Sequence, residues 1–305
     1  MRNMLGKASL AALVMGLGGT AALAGSYTPP APDPVVRHSP APVMRYIPPV
    51  TNPTLNETPF ITTEIRPFYL HHKIPNVGGG NVDGVAVQLR YALTDRLALI
   101  ATKDGYVDVD AGVLGDDEGF LNVGGGLKYA VINDLAGGTI VSVGARYEAP
   151  IGSLKLNDLV PLKIQGAGDG FANLFITGVK QIDRFQIQGS ANVNIAIDDD
   201  VDSSLFAASL HMNYALTERF FPLLEFNLFH WFDEPNRNNN NLQVEGFDVF
   251  HFGAQDTDTV ITGAAGFRFQ ALENTLIGAA FEIPLTDKDD GITSWRVIAD
   301  AVIRF

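Results

Sequence analysis

The side chains most able to form a hydrolytic site are Ser209, His211 and Asn213, which alternate along one segment. They offer a nucleophile, a base and an orienting group. In an extended strand they share one face, about 6.6 Å of rise apart. No oxyanion donor can be assigned near them. We therefore read them as polar side chains that line an interior.

A second candidate combines His251 with the loop acids Asp248, Asp256 and Asp258, an arrangement that could activate water. One histidine among many loop carboxylates is more typical of a solvated surface. The sequence also lacks the Gly-x-Ser-x-Gly and His-Glu-x-x-His motifs. We predict no catalytic residues and no enzyme activity.

Metal and phosphate sites are also not predicted. The acidic runs at 108–110, 116–118, 198–202 and 287–290 could hold Ca²⁺ or Mg²⁺, but none has the spacing of an EF-hand loop. The glycine runs 78–80 and 124–126 lack a strand-to-helix context, and we read the second as relief of crowding in a curved strand. We therefore expect no metal and no cofactor.

Composition narrows the class of protein. The 305 residues carry 21 Lys and Arg against 34 Asp and Glu, a net charge of −13, and there is no cysteine. The absence of cysteine excludes disulfides, thiolate metal sites and a lipid-modified cysteine. An acidic chain without basic clusters argues against a nucleic-acid partner.

The N-terminal part divides into two segments. Residues 1–24 combine Arg2 and Lys7 with an apolar run and a small-residue cleavage pattern, which predicts a signal peptide. Residues 25–59 are rich in proline, which removes backbone donors and favours extended structure. We expect a periplasmic tether here; the alternative is a segment that folds back and plugs a pore.

From residue 60 to 305 the apolar side chains recur at every second position. In Phe185 to Ile197, for example, apolar residues and glycine alternate with Gln186, Gln188, Ser190, Asn192 and Asn194. Each such run has one apolar and one polar face. The predicted strands number about twelve: 62–72, 84–93, 97–107, 119–131, 139–149, 170–182, 185–197, 203–215, 220–232, 259–270, 276–284 and 292–305.

The connections alternate between short turns and long polar loops, which is typical of an up-and-down transmembrane barrel. Aromatic side chains mark both predicted rims: Tyr91, Tyr129, Tyr214, Phe269 and Phe305 at the short-turn end, and Tyr69, Tyr147, Trp231 and Trp295 at the long-loop end. We predict an all-β fold, a single antiparallel barrel of about 12 strands with short periplasmic turns and long extracellular loops.

The final strand carries apolar residues at alternating positions from Trp295 to Phe305, the last residue. In this the sequence resembles Gram-negative outer-membrane β-barrel proteins. Its Tyr-x-Leu-Thr-Asp-Arg-Leu turn resembles those of poorly characterised porin-like and transporter-like families. The resemblance implies that Phe305 is read by the β-barrel assembly machinery and that the protein resides in the outer membrane, in contact with its lipids.

If the apolar faces meet lipid, the polar faces line the lumen. Two roles are open for this lining: charge pairing in a polar interior, and an eyelet that selects solutes. Twelve strands allow either a narrow pore or a partly filled lumen. The predicted lining residues are Glu64, Arg66, Arg90, Lys128, Arg146, Glu148, Gln188, Asn192, His211, Glu225, Arg268, Glu282, Arg296, Asp300 and Arg304.

The function predicted from these features is a passive channel for small hydrophilic or charged solutes. The first alternative is a structural or adhesive barrel that acts through its acidic surface loops. The lower alternative is an outer-membrane lipid hydrolase or protease. The identity of the solute and the oligomeric state stay open at this point.

Overall fold

The computed structural model describes residues 44–75, 79–112, 115–156, 162–163, 165–233, 245–246, 248–251, 259–286 and 293–305. The predicted signal peptide, residues 25–43 and the acidic run 287–290 lie outside these ranges.

Strands dominate the described residues. They are β1 Glu64–Lys73, β2 Asn81–Ala92, β3 Leu97–Lys103, β4 Tyr106–Asp110, β5 Asp116–Phe120, β6 Val123–Asp134, β7 Thr139–Ala149, β8 Lys155–Leu156, β9 Leu162–Lys163, β10 Phe171–Ile182, β11 Phe185–Ala196, β12 Ser204–Tyr214, β13 Phe220–Asp233, β14 Glu245–Gly246, β15 Phe250–His251, β16 Thr259–Leu272, β17 Thr275–Pro284 and β18 Trp295–Arg304.

One antiparallel sheet closes on itself to form the barrel. The hydrogen-bonded order runs β1-β18-β17-β16-β13-β12-β11-β10-β7-β6-β3-β2, and β1 also pairs with β2. The sheet therefore has twelve barrel strands in up-and-down order, which confirms the predicted fold class. Closure satisfies the backbone groups that an open sheet would leave unpaired at its edges. No helix among the described residues is long and apolar enough to span a membrane.

The period-two pattern places each side chain as expected in most strands. Along β11 the residues alternate, with Gln186, Gln188, Asn192 and Asn194 buried inside and Ile195 exposed outside. Trp231 is an exception to the predicted aromatic rim. It is only 4% exposed and stacks on Phe229, because its position in β13 has the parity of the inward side chains.

Two of the predicted strands are interrupted. The segment 97–107 divides into β3 and β4, and the segment 119–131 includes the end of β5 and most of β6. β4 and β5 pair with each other and extend the wall beyond β3 and β6. Within β6, a Cβ on Gly126 would lie 1.9 Å from the carbonyl oxygen of Ala145, so the strands approach closely there, as the glycine run suggested.

The proline-rich segment does not stay outside the barrel in its described part. Residues 44–59 belong to the same compact unit as the barrel, which spans Ala41–Phe305. Thr51, Asn52 and Glu57 are almost completely buried, and their side chains contact inward-facing strand residues. The described part of the proline-rich segment, residues 44–59, therefore contacts the inner face of the barrel wall.

Candidate functional site: the occupied barrel lumen

The lumen contains a stretch of chain, residues 44–60, that we call the lumen segment. At its start, Arg45 N–H donates to Gln181 Oε1 (2.8 Å), near the short-turn end of β10. At its end, the carbonyl oxygen of Pro59 accepts a hydrogen bond from Ser142 Oγ (2.6 Å). None of the described strands of the barrel sheet pairs with the segment, so its backbone carbonyls need other donors, and the strand side chains supply them.

Glu57 is the charged side chain at the centre of these contacts. Arg90 donates to it twice, from Nε to Oε1 (2.8 Å) and from Nη2 to Oε2 (2.7 Å). Lys128 Nζ lies 2.7 Å from Oε1 and also donates to the carbonyl of Thr58. Arg90 and Lys128 therefore compensate the buried carboxylate of Glu57 from two sides.

Glu225 on β13 holds the turn of the segment. Its carboxylate accepts the backbone N–H groups of Val50 (2.8 Å) and Thr51 (2.6 Å). On the other side, His211 Nδ1 lies 2.6 Å from Glu225 Oε1. Both strand side chains are fully buried, so the carboxylate serves the segment and the wall together.

Two strand arginines bind backbone carbonyls of the segment. Arg268 donates to the carbonyls of Pro48 (2.9 Å) and Pro49 (2.6 Å), and Arg66 donates to that of Val50 (3.1 Å). Asp300 accepts from both arginines and so balances their charge. Arginine suits this role because its planar group offers five donors in a fixed geometry.

A second cluster reaches the segment through Asp248. Arg296 donates from Nη2 to Glu282 (2.7 Å) and from Nη1 to Asp248 (2.7 Å). The same Asp248 accepts from the backbone N–H of Thr54 (3.1 Å). Asp248 is one of the loop acids considered beside His251 as a water-activating pair and set aside, and its observed partners are an arginine and the lumen segment.

Two amide side chains of the lining, Gln188 and Asn192, also contribute to the contacts with the segment. Gln188 donates to the carbonyl of Ile47 (2.5 Å). Asn192 accepts from Arg146 Nη2 (2.9 Å), and Arg146 in turn donates to the carbonyl of Thr54. The predicted lining residues thus all lie on the inner side of the wall, and most of them contact either the segment or a residue that does.

Three lining residues sit at the margins of this network. Glu64 accepts from Tyr46 of the segment (2.8 Å) and from Arg90. Glu148 pairs with Lys103 (2.7 Å). Arg304 lies over the ring of Tyr46, 5.2 Å from its centroid.

Ser209, His211 and Asn213, the candidate hydrolytic set that we read from the sequence as polar lining, lie on one face of β12. Ser209 Oγ accepts from Asn52 (3.0 Å), whereas His211 lies between Glu225 and Asn213. The described polar partners of His211 are therefore Glu225 and Asn213, and Ser209 is not among them. Ser209 binds the lumen segment instead.

Acidic residues 198–200 form the one group of at least three metal-binding side chains found in the described part of the chain. One carboxylate oxygen from each of Asp198, Asp199 and Asp200 lies within 4.8 Å of the others. Two of the three are exposed, as in the solvated loop that the sequence predicts.

Glu57 is the functional residue that sequence reasoning missed. Lumen-segment residues carry no period-two pattern, so they offered no face to assign. A signal was nonetheless present in the charges of the predicted lining, which contains seven cations and five carboxylates. This excess of cations indicates that further carboxylates lie inside the barrel. Glu57 and Asp248 supply two further buried carboxylates, while Lys103 adds one buried cation.

Comparison with known proteins rests on structure. No protein-family model and no curated protein matches the sequence. An outer membrane channel from Pseudomonas putida F1, described as COG4313, covers 85% of this chain and 100% of its own, with a TM-score of 0.59 and 17% sequence identity. This chain has the fold of an outer-membrane β-barrel channel. The NanC porin also aligns, over 80% of this chain and 100% of its own, at 6% identity and a TM-score of 0.48.

Proposed function

We propose that this barrel is a passive outer-membrane channel for small hydrophilic or charged solutes, closed by its own lumen segment until that segment moves. The supporting observation is that the segment is held by side chains of the kind that would face water in an open lumen. Glu225 and Arg268, for example, bind its backbone through hydrogen bonds and charge. Water can replace such contacts, which an apolar seal would not permit at comparable cost.

The outside of the barrel supports a membrane location. Leu174, Ile176, Leu224 and Phe281 are all at least half exposed on the outward face. So much exposed apolar surface is costly in water and is expected where lipid surrounds the wall. The paired strands leave no open edge in the closed sheet, as a membrane interior requires.

Hydrolysis is not the function that the geometry supports. His211, the candidate base, is fully buried and bonded to Glu225 and Asn213. A structural or adhesive barrel is the remaining alternative, and conductance separates it from a channel.

The decisive experiment fixes the lumen segment to the wall. Asn56 Oδ1 accepts from Ser190 Oγ at 3.1 Å, and the chain has no natural cysteine. In N56C/S190C, a short reducible cross-linker that joins the two thiols should abolish single-channel conductance in planar bilayers. Reductant should restore it.

The matched control is S190C/S209C, whose two positions are Cα partners in neighbouring strands. Its cross-link joins wall to wall, so the cross-linked variant should conduct as much as the same variant after reduction. Equal conductance with and without the segment cross-link would refute gating by the segment. No conductance from wild-type protein in any state would refute the channel and favour the structural barrel.

A further inference from the structure

A cavity of about 920 Å³ lies in the barrel wall where β3 gives way to β4. Small-molecule sites in proteins commonly have volumes of about 300–1,000 Å³. Residues from six stretches of chain line the cavity: 67–69, 85–87, 104–106, 120, 121 and 123, 151 and 153, and 299–301. The cavity is thus bounded by several neighbouring strands and is not a gap between two side chains.

An interruption in the strand ladder creates this cavity. β2 pairs with β3 through residues 89–92 and with β4 through residues 81–85, so residues 86–88 have no ladder partner on that side. Gly105 bridges the gap with a φ of +126°, and a Cβ there would lie 2.6 Å from the carbonyl oxygen of Val85. On the other side, the β1–β18 ladder omits Pro67, which has no N–H to donate.

The lining is apolar and belongs to both sides of the wall. Val85 and Phe120 are more than half exposed on the outside, while Phe68 and Leu121 are buried. Aromatic side chains are prominent, and Phe120 meets Tyr106 edge to face at 5.0 Å between ring centroids. Such rings favour contact with other flat apolar groups.

The few polar groups of the lining already have partners within the protein. Asp300 accepts from Arg66 and Arg268. Asp104 accepts the backbone N–H of Val87 (3.0 Å). Asp300 is thus neutralised by two arginines, whereas Asp104 accepts one backbone N–H and has no cation among its described partners. An anionic ligand would gain nothing from these carboxylates, and any charged ligand would lose its hydration on entering the apolar lining.

We propose that this wall cavity binds a small, uncharged, apolar molecule that reaches it from the membrane. The proposal relies on the proposed membrane location but not on conduction. It adds to the barrel a second binding function, directed at molecules that dissolve in lipid rather than in the aqueous lumen.

The test uses the full-length barrel in lipid nanodiscs with a small photoreactive aryl diazirine as the probe. Mass spectrometry should locate labelled residues within 104–106 and 120–123. Unlabelled naphthalene at about ten times its dissociation constant should lower this labelling about tenfold, because it leaves roughly one site in ten unoccupied.

Filling the cavity gives the matched variants. Ala299 lines the cavity, and its β17 partner Ala279 points outward without lining it. A299W should abolish the competed labelling, whereas A279W should retain it. If A299W fails to fold, as judged by heat-dependent migration on gels, A301F tests the same cavity from a neighbouring position.

Two results would overturn the proposal. Labelling spread along all outward faces and unaffected by naphthalene would show that the cavity holds only lipid acyl chains. Equal competed labelling in wild type, A299W and A301F would place the ligand elsewhere. Conductance is measured separately on the same protein, so failure of the cavity proposal does not depend on whether the channel conducts.

Discussion

Glu57 and Arg90 form a bidentate ion pair inside the barrel, with Nε–Oε1 and Nη2–Oε2 distances of 2.8 and 2.7 Å. Glu57 belongs to the lumen segment and Arg90 to β2, so this pair joins the segment to the wall. Both side chains are almost fully buried. The two halves of this pair lie 33 residues apart in the sequence.

Replacing Glu57 with Gln should weaken this closure. The change leaves Arg90 and Lys128 buried without their shared carboxylate, which typically costs about 3–5 kcal/mol for a buried pair that loses one partner. The two cations regain hydration if the segment leaves the lumen. We expect E57Q to conduct more often than wild type in planar bilayers, and its residues 44–60 to be cut faster by added protease.

E273Q is the control. Glu273 is exposed in a short turn, and its replacement removes the same charge from the chain. It should behave as wild type. Should E57Q and E273Q show equal open probability and equal protease resistance, the ion pair would have no part in closing the lumen.

The barrel was predictable from sequence because its strands repeat one rule. In β11, Gln188 and Asn192 are buried and their apolar neighbours point outward, as a period of two demands. The interruption between β3 and β4 did leave a signal in the sequence. Lys103 has the parity of the outward Leu97 and Leu99, so an uninterrupted strand would point its charge toward lipid.

The lumen segment was foreseen only as an alternative. Its prolines predict an extended backbone, and an extended backbone serves equally as a tether or as a plug. What decides between them is the set of donors around it, such as Arg268 for the Pro48 and Pro49 carbonyls. Arg268 lies 220 residues from Pro48 in the sequence, and a sequence pattern does not show which carbonyl such a distant donor meets.

Arg268→Lys should destabilise the closed barrel. The lysine keeps the charge but loses the planar group that binds two carbonyls and Asp300 at once. Hydrogen bonds to charged groups contribute about 1.5–3 kcal/mol each, so the free energy of unfolding should fall by at least about 1.5 kcal/mol. Urea unfolding of the protein in lipid vesicles, followed by tryptophan fluorescence, measures this difference.

Arg219→Lys supplies the comparison, because Arg219 is exposed in a short turn. It should leave the unfolding midpoint within experimental error. A midpoint for R268K that matches R219K would mean that the charge of Arg268, and not its geometry, holds the segment.

Ala191→Arg tests which face of β11 meets lipid. Ala191 points outward near the middle of the strand, and an arginine near mid-bilayer costs about 2–4 kcal/mol. A191L should be close to neutral in the same urea experiment. If A191R were as stable as A191L, this face would not be in contact with the membrane core.

Asn192→Arg should destabilise the barrel, although the inward position of Asn192 alone suggests a small effect on stability. A polar lumen would accept an added arginine at little cost. Asn192 is instead buried and accepts from Arg146, so the new cation would lie beside an existing one. N192R should therefore be destabilising too, and most of that cost should disappear when Arg146 is also changed to Gln.

The acidic loop between β11 and β12 should give the open channel a preference for cations. Asp199 and Asp200 are exposed, and Asp198 lies beside them, whereas Asp202 is buried. Their field extends about 10 Å at 0.1 M salt and about 30 Å at 0.01 M, so it attracts cations more strongly as the salt is diluted. We expect reversal potentials in a salt gradient to show weak cation selectivity that increases at low salt.

Changing Asp198, Asp199 and Asp200 to Asn should reduce this cation selectivity without loss of conductance. E273Q, at the opposite rim, should leave the selectivity unchanged. Anion preference at low salt would show instead that the lumen arginines outweigh the loop.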